Sequence, residues 1–175
     1  MIARTRSIPF SPRLRRNALL VDYRSMTKTN RVLFLCTGNY YRSRYAEEIF
    51  NHHAGREGLG WHAFSRGVAG KLFPENVGPM SPYTLQALQA KGIVPGGAGR
   101  YPELCTLADF ADAALVVALK DAEHRPMIEQ RFAGVAHRVE YWDVDDIEDL
   151  DATTALGRID ELVRLLIGSL QGRSR

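Results

Sequence analysis

The stretch Arg31-Val32-Leu33-Phe34-Leu35-Cys36-Thr37-Gly38-Asn39-Tyr40-Tyr41-Arg42-Ser43 decides how the rest of the chain is read. Val32 to Leu35 is a short unbroken apolar run, the pattern of a strand buried on both faces. It ends at Cys36, and after Ser43 the residues Tyr45, Ala46, Ile49, Phe50 and His53 recur at helical spacing. A strand and a helix are therefore joined by a short loop containing Gly38 and Asn39. Gly38 lets the backbone come close to a ligand, and Asn39 can hold a left-handed kink by bonding nearby main chain. In such a loop successive N–H groups converge at the helix N-terminus, where the helix dipole also favours negative charge. Arg42 adds a planar fork that engages two oxygens of an oxyanion at once. The same field favours the thiolate of Cys36, so the loop reads as a nucleophile set beneath a bound phosphate.

Outward from this loop, short apolar runs alternate with segments of helical period. His62 to Ser65 reads as a second strand and Gly67 to Pro82 as a long loop. Ser81 or Pro82 opens a helix carrying Tyr83, Leu85, Leu88 and Gln89, which Gly92 stops. A weaker strand is expected near Glu103 to Thr106. Ala113 to Leu119 has the continuous Val/Leu character of a strand covered on both sides, and a helix from Asp121 to about Phe132 follows it. Arg138 to Trp142 is the last strand. Leu156, Ile159, Leu162, Val163, Leu166, Ile167 and Leu170 then mark a long amphipathic closing helix. The alternation predicts an α/β fold, a three-layer sandwich with a central parallel sheet of about four strands.

Composition narrows the function classes. At 175 residues, 45% hydrophobic and 25% charged, the chain fits one globular domain. Its longest apolar run, Ala113 to Leu119, is far short of the roughly 18 residues that span a bilayer, so no membrane partner is expected. Two cysteines, Cys36 and Cys105, exclude a disulfide framework and a four-thiolate zinc site, and point to a reducing, cytoplasmic compartment. The net charge of +3 divides unevenly: residues 1–29 carry +6 and the remainder −3. The basic balance thus belongs to an N-terminal extension, flexible or read from an early start, ahead of a domain over 30–172, and nucleic acid is not an expected partner. No metal site is expected either. The acid run fails as a calcium loop, since the sixth position from Asp143 is Glu148 rather than glycine.

Cys36, Gly38, Asn39, Arg42 and Ser43 together resemble the signature of the low-molecular-weight protein tyrosine phosphatase family, a cysteine, five residues, an arginine and a serine. The likeness extends over roughly residues 30 to 170, through Pro79-Met80-Ser81-Pro82 and Asp109-Phe110 to an acidic loop after the last strand. The fold branch is shared with thioredoxin-coupled arsenate reductases. The resemblance implies a phosphatase domain that uses no cofactor, with Cys36 attacking phosphorus to give a phosphocysteine. Arg42 and the loop Thr37, Gly38, Asn39, Tyr40 and Tyr41 would hold the oxygens, and Ser43 would ease departure of the thiolate. An aspartic acid, usually followed by proline, would protonate the leaving group. The aromatic and apolar residues before it select Asp146, with Ile147 at the proline's place and Asp145 as the alternative. Repulsion from Asp145 and Asp149 would help keep that acid protonated. Tyr41 stands where the family often has a second cysteine, so the neighbouring disulfide that protects the nucleophile is not expected.

The implied partners are a phosphotyrosine protein or small aryl phosphate, with inorganic phosphate as product and inhibitor. Tyr40, Tyr41, Leu72 and Phe73 are candidate substrate walls, and their acidic neighbours suggest substrates that are not strongly acidic. Two alternatives stand beside this reading. One is an arsenate reductase-like thiol oxidoreductase, whose further cysteines are replaced here by Lys120 and, roughly, Pro126. The other is a non-catalytic phosphate-binding module.

Overall fold

The computed structural model describes residues 30–146 and 151–173. The basic extension, together with Ile147 and Asp149 of the acid run, lies outside the described residues. Four strands, β1 (Arg31–Cys36), β2 (His62–Gly67), β3 (Leu115–Ala118) and β4 (Val139–Tyr141), form one parallel sheet in the order β2-β1-β3-β4. Between and after them run α1 (Arg42–Arg56), α2 (Pro82–Ala90), α3 (Leu107–Asp112), α4 (Asp121–Phe132) and α5 (Ala152–Arg173). None of the described helices is long and apolar enough to cross a membrane.

The strand period explains the three layers. Val32 and Phe34 of β1 point to one face and pack with Tyr45, Ile49 and Phe50 of α1 and with Ile159 and Val163 of α5. Leu33 and Leu35 point to the other and meet Phe110 of α3 with Ile128 and Phe132 of α4. β1 pairs with β2 on one edge and β3 on the other, so it is central and covered on both sides. That burial is what its four-residue apolar run requires.

The segment expected to add a strand near Glu103 to Thr106 makes only an isolated bridge, Leu104 to Gly67. A helix start cuts it short. The Thr106 hydroxyl accepts from the Asp109 N–H, while the Asp109 carboxylate accepts from the Thr106 N–H at 2.8 Å, a reciprocal cap that begins α3 at Leu107.

Candidate active site

The carboxyl ends of β1 and β3 and the N-terminus of α1 converge on one cleft of about 520 Å³, lined among others by Cys36, Gly38, Tyr41, Arg42, Phe73 and Asp146. Between Cys36 and Arg42 the chain turns through Asn39, whose φ of 53° is the one left-handed value among the described non-glycine residues. The kink is held mostly by side chains. Asn39 Nδ2 donates to Ser65 Oγ (2.8 Å) and Ser43 Oγ (3.1 Å), and its Oδ1 accepts from the Glu103 N–H (3.0 Å). Ser43 Oγ lies 3.0 Å from Cys36 Sγ. Because Ser43 already accepts from Asn39, its own proton is available to the sulfur.

The arrangement continues away from the cleft. Ser65 Oγ donates to Glu47 (2.5 Å), and Arg100 closes on Glu47 at 2.6 Å. Asn39, Ser43 and Ser65 are completely buried. This line of polar groups therefore fixes the underside of the loop in a place where an unpaired group would be costly. Two glycines allow the loop its packing. A Cβ on Gly67 would sit 3.0 Å from the Thr37 carbonyl oxygen, and one on Gly38 would sit 3.1 Å from the Phe73 ring.

Arg42 is buried at 1% exposure, and a charge so placed needs partners. Glu123, from the first turn of α4, takes both ends of its guanidinium, Oε2 to Nη1 at 2.8 Å and Oε1 to Nη2 at 3.0 Å. The Val144 carbonyl accepts from Nη1 at 3.1 Å, and Asp146 Oδ2 from Nη2 at 2.5 Å. Glu123 is itself oriented by the Thr37 hydroxyl, which donates to it. His124 Nε2 lies 3.3 Å from the same hydroxyl, while its Nδ1 accepts from the Lys120 N–H at 2.9 Å, so the ring proton sits on Nε2, facing Thr37 and Glu123. Burial holds the His124 imidazole neutral by pushing its pKa below the usual value. Burial works against ionisation of Glu123 as well. Hydrogen bonds from His124 and Arg42, and the charge of Arg42, outweigh it and hold this carboxyl well below the ordinary range.

The acid run separates by partner. Lys120 pairs with Asp143 at 2.5 Å and with Asp145, whereas Asp146 reaches Arg42 inside the cleft. Asp145 is thus turned to a lysine on the rim, and its charge is offset there. Tyr41, at the N-cap of α1, donates to the Ala152 carbonyl at 3.3 Å; burial first, then Asp146, pushes its hydroxyl up to about 12. Tyr40 donates to the Val77 carbonyl at 2.7 Å and holds the long loop against the mouth of the cleft. Phe73 lines the cleft; Leu72 stands exposed beside it on the same loop, outside the lining.

Glu123 and His124 are residues of the candidate site that sequence reading missed, since they lie 81 and 82 positions beyond Arg42. The one available signal was a Glu-His pair at the start of the helix that follows a buried strand. The second thiol sits apart from the cleft. Cys105 packs in the core with Val68 and Phe110, and burial pushes it up to about 12.

Solved structures with this architecture include a low molecular weight protein tyrosine phosphatase from T. tengcongensis, 27% identical, covering 79% of this chain and 98% of that one at a TM-score of 0.68. Another from Bacillus subtilis is also 27% identical, covering 83% and 99% at 0.68. A YwlE arginine phosphatase mutant with a phosphorylated active-site serine is 26% identical, covering 81% and 95% at 0.68. Among curated proteins, none matches the chain in sequence. The sequence profile of the low molecular weight phosphotyrosine protein phosphatases matches residues 31–153, from the first strand into the last helix. On that match and the shared fold, this chain belongs to the low molecular weight phosphotyrosine protein phosphatase family.

Proposed function

We propose that the protein is a phosphomonoesterase acting on phosphotyrosine through a phosphocysteine intermediate, with Cys36 as nucleophile, Arg42 as phosphate anchor and Asp146 as general acid. The observation that carries this reading is the meeting of the Cys36 sulfur, the fixed Arg42 fork and the Asp146 carboxylate in a single cleft. A phosphoryl dianion entering the cleft takes the place of Asp146 on the Arg42 fork and engages the loop N–H groups. Cys36 Sγ attacks phosphorus, the P–O bond to the phenol breaks, and the phenolate takes the Asp146 proton. The Asp146 carboxylate then accepts a proton from water as that water attacks phosphorus. The P–S bond breaks, inorganic phosphate forms, and the thiolate leaves accepting the Ser43 hydrogen bond. Every group in the cycle comes from the chain, so the reaction needs no cofactor. A working thiolate suits a reducing compartment such as the cytoplasm.

Aromatic walls support an aryl leaving group: Tyr40, Tyr41, Phe73 and Tyr83 line the cleft. A second reading, phosphoarginine, has two supports. One is the likeness to an arginine phosphatase; the other is Glu75 in the same cleft, able to pair a guanidinium. Thiol relay chemistry is disfavoured by Cys105, which is buried and held as a thiol. The Cys36→Ser variant tests the central claim. It is expected to abolish turnover of an aryl phosphate while phosphate or vanadate still binds; undiminished turnover would sink the mechanism. Matched phosphotyrosine and phosphoarginine peptides, compared by kcat/KM, decide the substrate.

A further inference from the structure

Beside the cleft lies a second hollow of about 610 Å³, whose walls include Thr37, Phe73, Lys71, Met127, Gln130 and Arg131. Thr37 and Phe73 also line the cleft, so the two spaces adjoin across these residues and differ sharply in charge. Glu75, Glu123 and Asp146 face the cleft, while among the described residues no carboxylate lines the second hollow. Its two cations are not neutralised by neighbours: among the described residues, neither Lys71 nor Arg131 forms an ion pair, whereas Lys91 and Lys120 both do.

Arg131 is also held in place. Its Nη1 donates to the carbonyls of Val68 (2.7 Å) and Ala69 (2.5 Å) and its guanidinium lies 5.0 Å from the Phe132 ring centroid, contacts that fix it without a carboxylate partner. The N–H groups of Val68 and Ala69 in turn bond the carbonyls of Cys36 (2.9 Å) and Thr37 (3.0 Å). The guanidinium is therefore tied through a single extended segment to the first residues of the phosphate loop. Such a preorganised cation requires little reordering to meet an anion.

Resting on the phosphotyrosine reading above, we propose that this hollow is a substrate subsite that takes an acidic side chain, aspartate or glutamate, within a few residues of the phosphorylated residue. Because its walls continue into the cleft, its occupant is a neighbouring part of the substrate chain. Its cations attract and orient that chain, while the carboxylates of the cleft disfavour acids on the other sides. This refines the expectation of substrates that are not strongly acidic: acidity is accepted on the Lys71–Arg131 side.

The test compares, with the full chain, 4-nitrophenyl phosphate and two sets of phosphotyrosine peptides identical except for Asp or Asn at positions up to three residues either side. The expected result is a kcat/KM about three- to tenfold higher for Asp at one of these positions, shrinking as salt rises. In Lys71→Gln the Asp-over-Asn ratio falls toward one. Lys71 is exposed, so this variant folds. Lys71→Glu, which sets a carboxylate against Arg131, lowers the ratio further than Lys71→Gln does. The Cys36→Ser protein, titrated with the same peptides, should show the preference as a difference in Kd, a readout independent of turnover. Equal kcat/KM and Kd for every Asp and Asn peptide, alongside turnover of 4-nitrophenyl phosphate, overturns the subsite and leaves the phosphatase reading intact. No turnover of any substrate overturns both.

Discussion

Glu123 binds Arg42 through both carboxylate oxygens and receives the Thr37 hydroxyl in addition. Replacing it by glutamine keeps the shape and removes the charge, leaving the Arg42 cation short of a partner it needs. The side chain is 30% exposed, so the expected loss of stability is moderate, about 1–3 kcal/mol. A misaimed fork should lower kcat/KM by about 10- to 100-fold. The pH dependence has a definite sign. The folded pKa of Glu123 lies below its unfolded value of about 4.3, so the contribution is complete above that value and is lost as pH falls through the folded one. The gap in Tm between wild type and Glu123→Gln should accordingly be constant from pH 7 to about 5 and close on further acidification. For Asp146→Asn, the expected signature is leaving-group dependence: turnover of aryl phosphates slows more when the phenol is a poor leaving group. Equal slowing across the series would move the acid elsewhere. Cys36, Arg42 and Ser43 are legible in the sequence because one loop contains them all. Glu123 is not, since its one local mark, a histidine beside it near a helix start, is too weak to set it apart from the solvated acids of other helices.

At the scale of elements, α1 shows why periodicity gives only half of the packing. Tyr45, Ala46, Ile49 and Phe50 bury as the helical spacing predicts, yet Arg44, Glu47 and Glu48 on its other side are also buried. Arg44 donates to the carbonyls of Gly97 and Arg100, and Glu48 accepts the N–H groups of Gly96 (2.9 Å) and Gly97 (2.8 Å). A charged face reads as solvated until the loop that covers it is in place. The segment after β4 shows the converse. Its backbone is tied to the end of β3 by Trp142 N–H to Ala118 O (2.8 Å) and Val144 N–H to Leu119 O (2.9 Å), and Lys120 collects Asp143 and Asp145. In Lys120→Ala those two acids lose their partner, and Asp146 is aimed less firmly. Turnover of substrates with poor leaving groups should fall about three- to tenfold, with little change for good ones. A uniform effect on both would assign Lys120 to substrate binding instead.

For the whole molecule, the order β2-β1-β3-β4 makes the edge between β1 and β3 the place where chain connections diverge to opposite sides of the sheet. Ligands of open parallel sheets gather at the carboxyl ends of strands at such a point, and the cleft lies there. The layers follow from β1, whose apolar run demands two covering faces; the short strand expected near Glu103 does not follow, because the cap from Thr106 to Asp109 begins a helix there. A ligand that binds only the assembled cleft stabilises the entire fold. At about 100 times its Kd, vanadate should add about 2.7 kcal/mol to the unfolding free energy, seen as a rise in Tm, and Arg42→Ala should lose most of that rise. Cys105 has a practical consequence of its own. The chain holds two thiols of equally small exposure, but Cys36 lines the cleft, whereas Cys105 sits among core side chains where burial holds it as the unreactive thiol. A small alkylating reagent applied to the native protein should therefore react to one equivalent, at the cleft, and phosphate should protect that equivalent. Mass spectrometry of the labelled protein then counts competent sites directly, one adduct for each correctly folded molecule.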